Sequence, residues 1–134
     1  MSLAYVKKIC LFGGAGFIGR SIVRLLAKNG FEVKIATRSP FDQDLLELKS
    51  TVSDPGQISV EKINIHSKSQ IKDFIKDCEI CINLVGILYE KGSNTFKKIH
   101  TIFADNLTSV IKETKSIKHY IHFSSLGVKN NTSS

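Results

Sequence analysis

Four of the nine glycines in this 134-residue sequence fall within seven positions, at Gly13, Gly14, Gly16 and Gly19. The run Gly13-Gly-Ala-Gly16-Phe-Ile-Gly19 suits capture of a phosphorylated anion by main-chain N–H groups, because a backbone without Cβ atoms turns tightly and lets a ligand come close. An apolar run, Lys8-Ile-Cys-Leu-Phe12, precedes it and reads as a strand buried on both faces; Ile18, Ile22, Leu25 and Leu26 follow at helical spacing. A glycine-rich turn between a strand and a helix start sets an anion at the positive end of the helix dipole. In that context Gly13 is expected to permit the turn, Gly16 to admit a pyrophosphate and Gly19 to allow close helix packing. A structural turn that binds nothing is the alternative.

A second pattern with chemical potential is Cys78-Glu-Ile-Cys81, whose spacing fits redox or zinc chemistry. The surrounding stretch 79–85 reads as a buried strand, in which residues three apart are separated by roughly 10 Å, too far for a disulfide. No second such pair and no paired histidines complete a zinc site. Cys10, Cys78 and Cys81 are therefore expected to be buried structural thiols in a reducing compartment, and no metal is expected.

The elements that must position the glycine turn follow from the period of the apolar residues. Strands are predicted at 8–12, 31–37, 58–65, 79–85 and 119–124, and helices after Gly16, around Leu45 to Leu48, after a Ser67 or Ser69 cap, and from Phe96 to Val110. Strand and helix alternate throughout, which predicts an α/β fold: a three-layer, doubly wound Rossmann-type parallel sheet of about five strands, order 3-2-1-4-5, with helices on both faces. Residues 1–128 are assigned to this one domain and 129–134 to a polar tail.

Composition narrows the function classes. The net charge is +7, but sixteen of the 19 basic residues are lysines scattered from Lys7 to Lys129, without the basic and aromatic stripe of a nucleic-acid face. No apolar run approaches the roughly 18 residues of a spanning helix. The three arginines, Arg20, Arg24 and Arg38, all lie in the first third, beside the glycines.

The spacing Gly-x-x-Gly-x-x-Gly resembles the short-chain dehydrogenase/reductase superfamily, and Gly-Gly-Ala-Gly-Phe-Ile-Gly is similar to its extended and atypical epimerase/dehydratase branches. A later stretch, Asn83-Leu-Val-Gly-Ile-Leu-Tyr-Glu-Lys-Gly92 followed by Thr95-Phe-Lys-Lys-Ile-His100, resembles atypical members related to the 39-kilodalton accessory subunit of respiratory complex I. The resemblance implies a nicotinamide dinucleotide cofactor. It assigns Gly13, Gly16, Phe17, Ile18 and Gly19 to the pyrophosphate turn, Asn64 and Ile65 to the adenine, and Leu84, Val85 and Gly86 to the nicotinamide ribose. An NAD site usually offers a carboxylate at the end of the second strand, whereas this chain reads Ile35-Ala-Thr37-Arg38-Ser39. Arg38, with hydroxyls from Thr37 and Ser39 and with Arg20 nearby, predicts a preference for the 2′-phosphate of NADP(H), with NAD(H) as the alternative.

Enzymes of the superfamily use a Tyr-x-x-x-Lys pair. Four residues beyond Tyr5, Tyr89 and Tyr120 stand Ile9, Ser93 and Ser124, so the pair is missing from this sequence. Ser125 is a candidate for the serine that assists such a pair, and the alternative is that Ser124 and Ser125 are both ordinary strand-end residues. Family members continue for about as long again, so the sequence is expected to be an amino-terminal part that binds cofactor and turns nothing over. Its expected partners are the dinucleotide and membrane-associated respiratory subunits, not nucleic acid. Its expected location is cytoplasmic, with a peripheral seat at the inner face of the respiratory membrane as the variant the resemblance suggests. The other reading is the cofactor half of an NAD(P)-dependent sugar-nucleotide epimerase/dehydratase or reductase.

Overall fold

Strand β1 (Lys8–Phe12) shows why this chain makes a sheet covered on both sides. Its side chains alternate, Ile9 and Leu11 entering one apolar cluster, Cys10 and Phe12 another, and all four are buried. A computed structural model describes residues 7–13, 17–38, 43–49, 57–85 and 94–123. In chain order, β1 is followed by α1 (Phe17–Lys28), β2 (Glu32–Thr37), α2 (Gln43–Lys49), β3 (Ile58–Lys62), α3 (Lys68–Ile75), β4 (Ile80–Asn83), α4 (Asn94–Lys112) and β5 (His119–His122). All neighbouring strands are parallel and the spatial order is β3-β2-β1-β4-β5, the doubly wound arrangement the alternation predicts.

The two faces carry separate cores. One packs Val23 of α1 and Leu45 and Leu48 of α2 on Leu11, Val33 and Ile35. The other packs Phe74 of α3 and Phe103 of α4 against Phe12, with ring centroids 5.3 and 5.2 Å from it. Burying a large aliphatic or aromatic side chain stabilises by about 1.5–3 kcal/mol, so these central residues hold the layers together.

The second face also contains the three cysteines. Cys10, Cys78 and Cys81 are free and buried, as expected of structural thiols. Contact with Cys10, reinforced by burial, pushes the Cys78 thiol well up. A thiol held in its neutral form is a poor nucleophile. Beside them Lys34 is buried, its Nζ donating to the Phe74 carbonyl at 2.8 Å and to Asp77 Oδ1 at 3.2 Å, with its ammonium 4.7 Å from the Phe74 ring centroid. This lysine thus satisfies a carbonyl near the end of α3 and fastens the helix to β2.

Several strand boundaries differ from the expected ones: β2 begins at Glu32 rather than at 31, β4 spans Ile80–Asn83 rather than 79–85, and β5 ends at His122 rather than at 124. The third strand ends at Lys62 rather than at residue 65, because Asn64 makes a turn: its Oδ1 accepts from His66 N at 2.9 Å and its carbonyl from Ser67 N at 3.0 Å. Of the two candidate caps, Ser67 starts α3, its Oγ accepting from Gln70 N. Residues 124–134 lie outside the described residues.

Candidate functional site

In a parallel sheet every strand points the same way, so the ends of β1, β2, β3 and β4 form a single edge. The register sets Phe12 beside both Ala36 and Asn83, and Thr37 beside Lys62. The order of winding reverses at β1, which has β2 on one side and β4 on the other. A crevice outside the carboxyl ends at such a reversal is where open α/β sheets bind ligands.

Gly13 stands at the reversal, and its glycine identity has two causes. Its φ is +93°, a region side chains rarely adopt, and a Cβ built there would lie 2.8 Å from both the Leu84 carbonyl carbon and the Val85 nitrogen. The turn after β1 is therefore pressed onto the end of β4, where Leu84 N also donates to Phe12 O at 2.8 Å. This contact joins Gly13 to Leu84 and Val85, which are more than seventy residues away in sequence. Leu84 is buried, whereas Val85 is half-buried at the edge.

Helix α1 begins at Phe17 and runs back from this edge, with Ile18 half-buried, Gly19 buried and Arg20 half-buried. Gly16 and Gly86 lie outside the described residues, as do Ser39 and Ser125. Arg20 is engaged in a contact of its own. Thr37 is the last residue of β2, and its carbonyl accepts from Ile63 N at 3.0 Å. Arg38 follows in a bend and is exposed. Asn64 and Ile65 come two and three residues after β3. Asn64 is exposed, its N–H donating to Gln70 Oε1 at 2.9 Å, and Ile65 packs against the core cluster that contains Phe12.

Sequence reasoning missed a polar cluster at the neighbouring strand ends. Asn83 is 1% exposed; its Oδ1 accepts from Val85 N at 2.9 Å and its Nδ2 donates toward Tyr120 Oη at 3.4 Å and His122 Nδ1 at 3.1 Å. The Val85 bond fixes which way the amide points and so turns Nδ2 toward Tyr120 and His122. The signal available in the sequence was an asparagine closing a buried strand, together with Tyr120 and His122 two apart on the next. Burial pushes the Tyr120 phenol up. A tyrosine that exchanges protons with substrate needs the opposite shift. Tyr5 and Tyr89 lie outside the described residues.

Among the described residues no group of three or more His, Cys, Asp or Glu side chains is placed to hold a metal ion, and no helix is long and apolar enough to cross a membrane.

Comparison with known proteins agrees with this architecture. The chain is 32% identical over 117 residues to the mitochondrial NADH dehydrogenase [ubiquinone] 1 alpha subcomplex subunit 9 of Arabidopsis thaliana, covering 87% of this chain and 29% of that protein. It is 26% identical over 131 residues to the decarboxylating sterol-4-alpha-carboxylate 3-dehydrogenase of Dictyostelium discoideum, covering 92% of this chain and 37% of that one. Among solved structures, vestitone reductase from alfalfa superposes with a TM-score of 0.70 at 19% identity, over 86% of this chain and 35% of its own, which establishes a shared fold. The chain thus spans about a third of the length of the curated relatives it matches. Residues 6–134 match the NmrA-like family, and the chain belongs to that family as a Rossmann domain of the NAD(P)-binding type.

Proposed function

We propose that the chain is a dinucleotide-binding domain that prefers NADP(H), is non-catalytic by itself, and serves in or beside a respiratory NADH:quinone oxidoreductase. The observation that carries the cofactor preference is Arg38, exposed immediately after β2, where the segment 35–39 offers no carboxylate to a ribose.

The described residues suit such a ligand. The first N–H groups of α1 have no intrahelical partner and open toward the edge at which Gly13 turns. Around them, Gly13, Gly16, Phe17, Ile18 and Gly19 would take the pyrophosphate, Leu84, Val85 and Gly86 the nicotinamide ribose, and Asn64 and Ile65 the adenine. The Oδ1 of Asn64 is occupied by His66 N–H, which leaves its Nδ2 to donate to a ring nitrogen. Arg38 would form a forked pair with the 2′-phosphate, and Thr37 would add a hydroxyl. Nicotinamide, when bound, supplies hydride-transfer chemistry; this chain would hold and orient it. The raised phenol of Tyr120 and the absence of Tyr-x-x-x-Lys from the sequence support binding without turnover.

The respiratory role rests on the relatives named as alpha subcomplex subunit 9, and it carries a peripheral seat at the membrane with it. The second reading, a cofactor half of an epimerase/dehydratase or reductase, is favoured by the sterol-carboxylate dehydrogenase relative. The sequence encoded downstream of Ser134 separates them: Tyr-x-x-x-Lys followed by a substrate domain supports the enzyme. Calorimetry with NADPH and NADH tests the cofactor preference. Wild type is expected to bind NADPH more tightly, and Arg38→Ala to weaken NADPH about tenfold with NADH little changed. Equal NADPH affinity for the two proteins would overturn the preference.

A further inference from the structure

The 2′-phosphate site proposed above contains one arginine that is exposed, Arg38, and one, Arg20, that is half-buried and already engaged in an interaction. The sheet brings a third cation to the same place. Lys62 is the last residue of β3, and its Cα is the register partner of Thr37, the residue before Arg38. Neighbouring strands lie about 4.8 Å apart, a gap the four-carbon stem of lysine spans easily. Side chains alternate along a strand, so Thr37 and Lys62 share the face of Ile35 and Val60, which belong to the α1 and α2 side of the sheet. The intervening residue, Glu61, is on the other face, where its carboxylate lies 3.6 Å from Lys34 Nζ. It is therefore not positioned to neutralise Lys62.

Lys62 is exposed, and its side chain has no ion pair or hydrogen bond among the described residues. Other lysines without such partners, including Lys28, Lys49 and Lys112, close their helices at the opposite edge of the sheet. Lys68 opens α3 on the opposite face, beyond the turn at Asn64. Lys62 alone among these stands in ladder register with the end of β2. Two exposed cations at adjacent strand ends, neither with an ion pair among the described residues, create a local positive potential that a doubly charged phosphate monoester answers and a neutral ribose hydroxyl does not.

We propose that Lys62 is a second specificity-determining residue of the dinucleotide site, reading the 2′-phosphate of NADP(H) together with Arg38 across the β2–β3 pair. The inference rests on the reading of this edge as an NADP(H) site. It assigns the two cations different work: Arg38 supplies a planar fork that fixes the phosphate oxygens, and Lys62 a point charge that is tolerant of geometry. Discrimination between the two cofactors should therefore be split between them and should weaken with salt.

The test is calorimetry on wild type, Lys62→Gln, Lys62→Glu and Lys68→Gln, with NADPH, NADH, 2′,5′-ADP and 5′-AMP as probes at fixed ionic strength. Lys62→Gln is expected to weaken NADPH and 2′,5′-ADP about fivefold to tenfold, and Lys62→Glu about thirtyfold, with NADH and 5′-AMP within about twofold of wild type. Lys68→Gln removes the same charge from the other face and should change no probe by more than about twofold. Wild-type melting temperatures verify that the exposed substitutions leave the fold intact. If wild type prefers NADPH and both Lys62 variants retain that preference in full, Lys62 has no such role while the NADP(H) reading stands. An equal loss in Lys68→Gln would likewise overturn the proposal, by reducing it to net charge. Equal affinity of wild type for NADPH and NADH would overturn the underlying reading and the proposal with it.

Discussion

The two halves of the carboxyl edge are equipped differently. Beyond β2 and β3, the cationic side chains Arg38 and Lys62 are exposed and, among the described residues, uncommitted. Beyond β4 and β5, the polar side chains are turned on one another: Asn83 bridges Val85 N, Tyr120 Oη and His122 Nδ1. The first half is suited to meet a charged ligand and the second to hold the strand ends in register. Groups that must recognise an outside charge are worth more left unpaired, whereas a buried amide is costly until its own hydrogen bonds are made. The contrast is the one the proposed dinucleotide site calls for, with uncommitted charge on one side and a rigid frame on the other.

The sharpest way to break this division is at Gly13, where the halves meet. Gly13→Ala combines an unfavourable φ with a contact of 2.8 Å to the β4 backbone, and should destabilise by about 3 kcal/mol. Gly30→Ala has a similar φ of +91° but nothing within 4 Å, so about 1 kcal/mol is expected. Denaturant midpoints measure both. Equal losses would mean that the approach of the turn to Leu84 and Val85 does not matter.

Asn83→Leu should come next. It removes the partner of Val85 N–H and the links to β5, for a loss of about 2 kcal/mol. Hydrogen exchange should quicken at β5, and the affinity for 5′-AMP, a probe of the adenosine side, should change little. A comparable loss of 5′-AMP binding would show that the halves are energetically one unit.

The smallest effect concerns the interior. Burial alone would raise the Asp77 carboxyl, but hydrogen bonds from Lys8 and Lys34 outweigh it and hold the group at about 2, against a usual 3.8. A folded-state value below the unfolded one gives stability that is complete above about pH 4 and is lost as pH falls toward 2. Asp77 is half exposed, so the gain is discounted to about 1 kcal/mol. Lys34→Met should lower the midpoint at pH 7 by a similar amount and flatten the loss between pH 4 and pH 2. An unaltered acid limb in that variant would assign the acid sensitivity to other carboxylates.

Much of the fold was legible because it is written in local periods. Ile9 and Leu11 against Cys10 and Phe12, and Ile18, Ile22, Leu25 and Leu26 at helical spacing, announce a buried strand and an amphipathic helix without knowledge of any neighbour. A parallel sheet covered by helices on both faces followed from the alternation of strand and helix. The third strand was read three residues too long because Asn64 and Ile65 continue an alternating pattern. The Asn64 side chain overrode that pattern by bonding its own turn.

The sequence by itself determined the α/β alternation, the glycine turn at the head of α1, and the missing carboxylate at Thr37-Arg38. Each of these is a property of residues close together in the chain. Only the tertiary structure decided that Gly13 must lie against Leu84 and Val85, that Asn83 meets Tyr120 and His122, and that Lys62 stands beside Thr37. Those meetings depend on cross-strand register, which long-range pairing of the buried faces sets, and a one-residue slip would send every one of these side chains to the other side of the sheet.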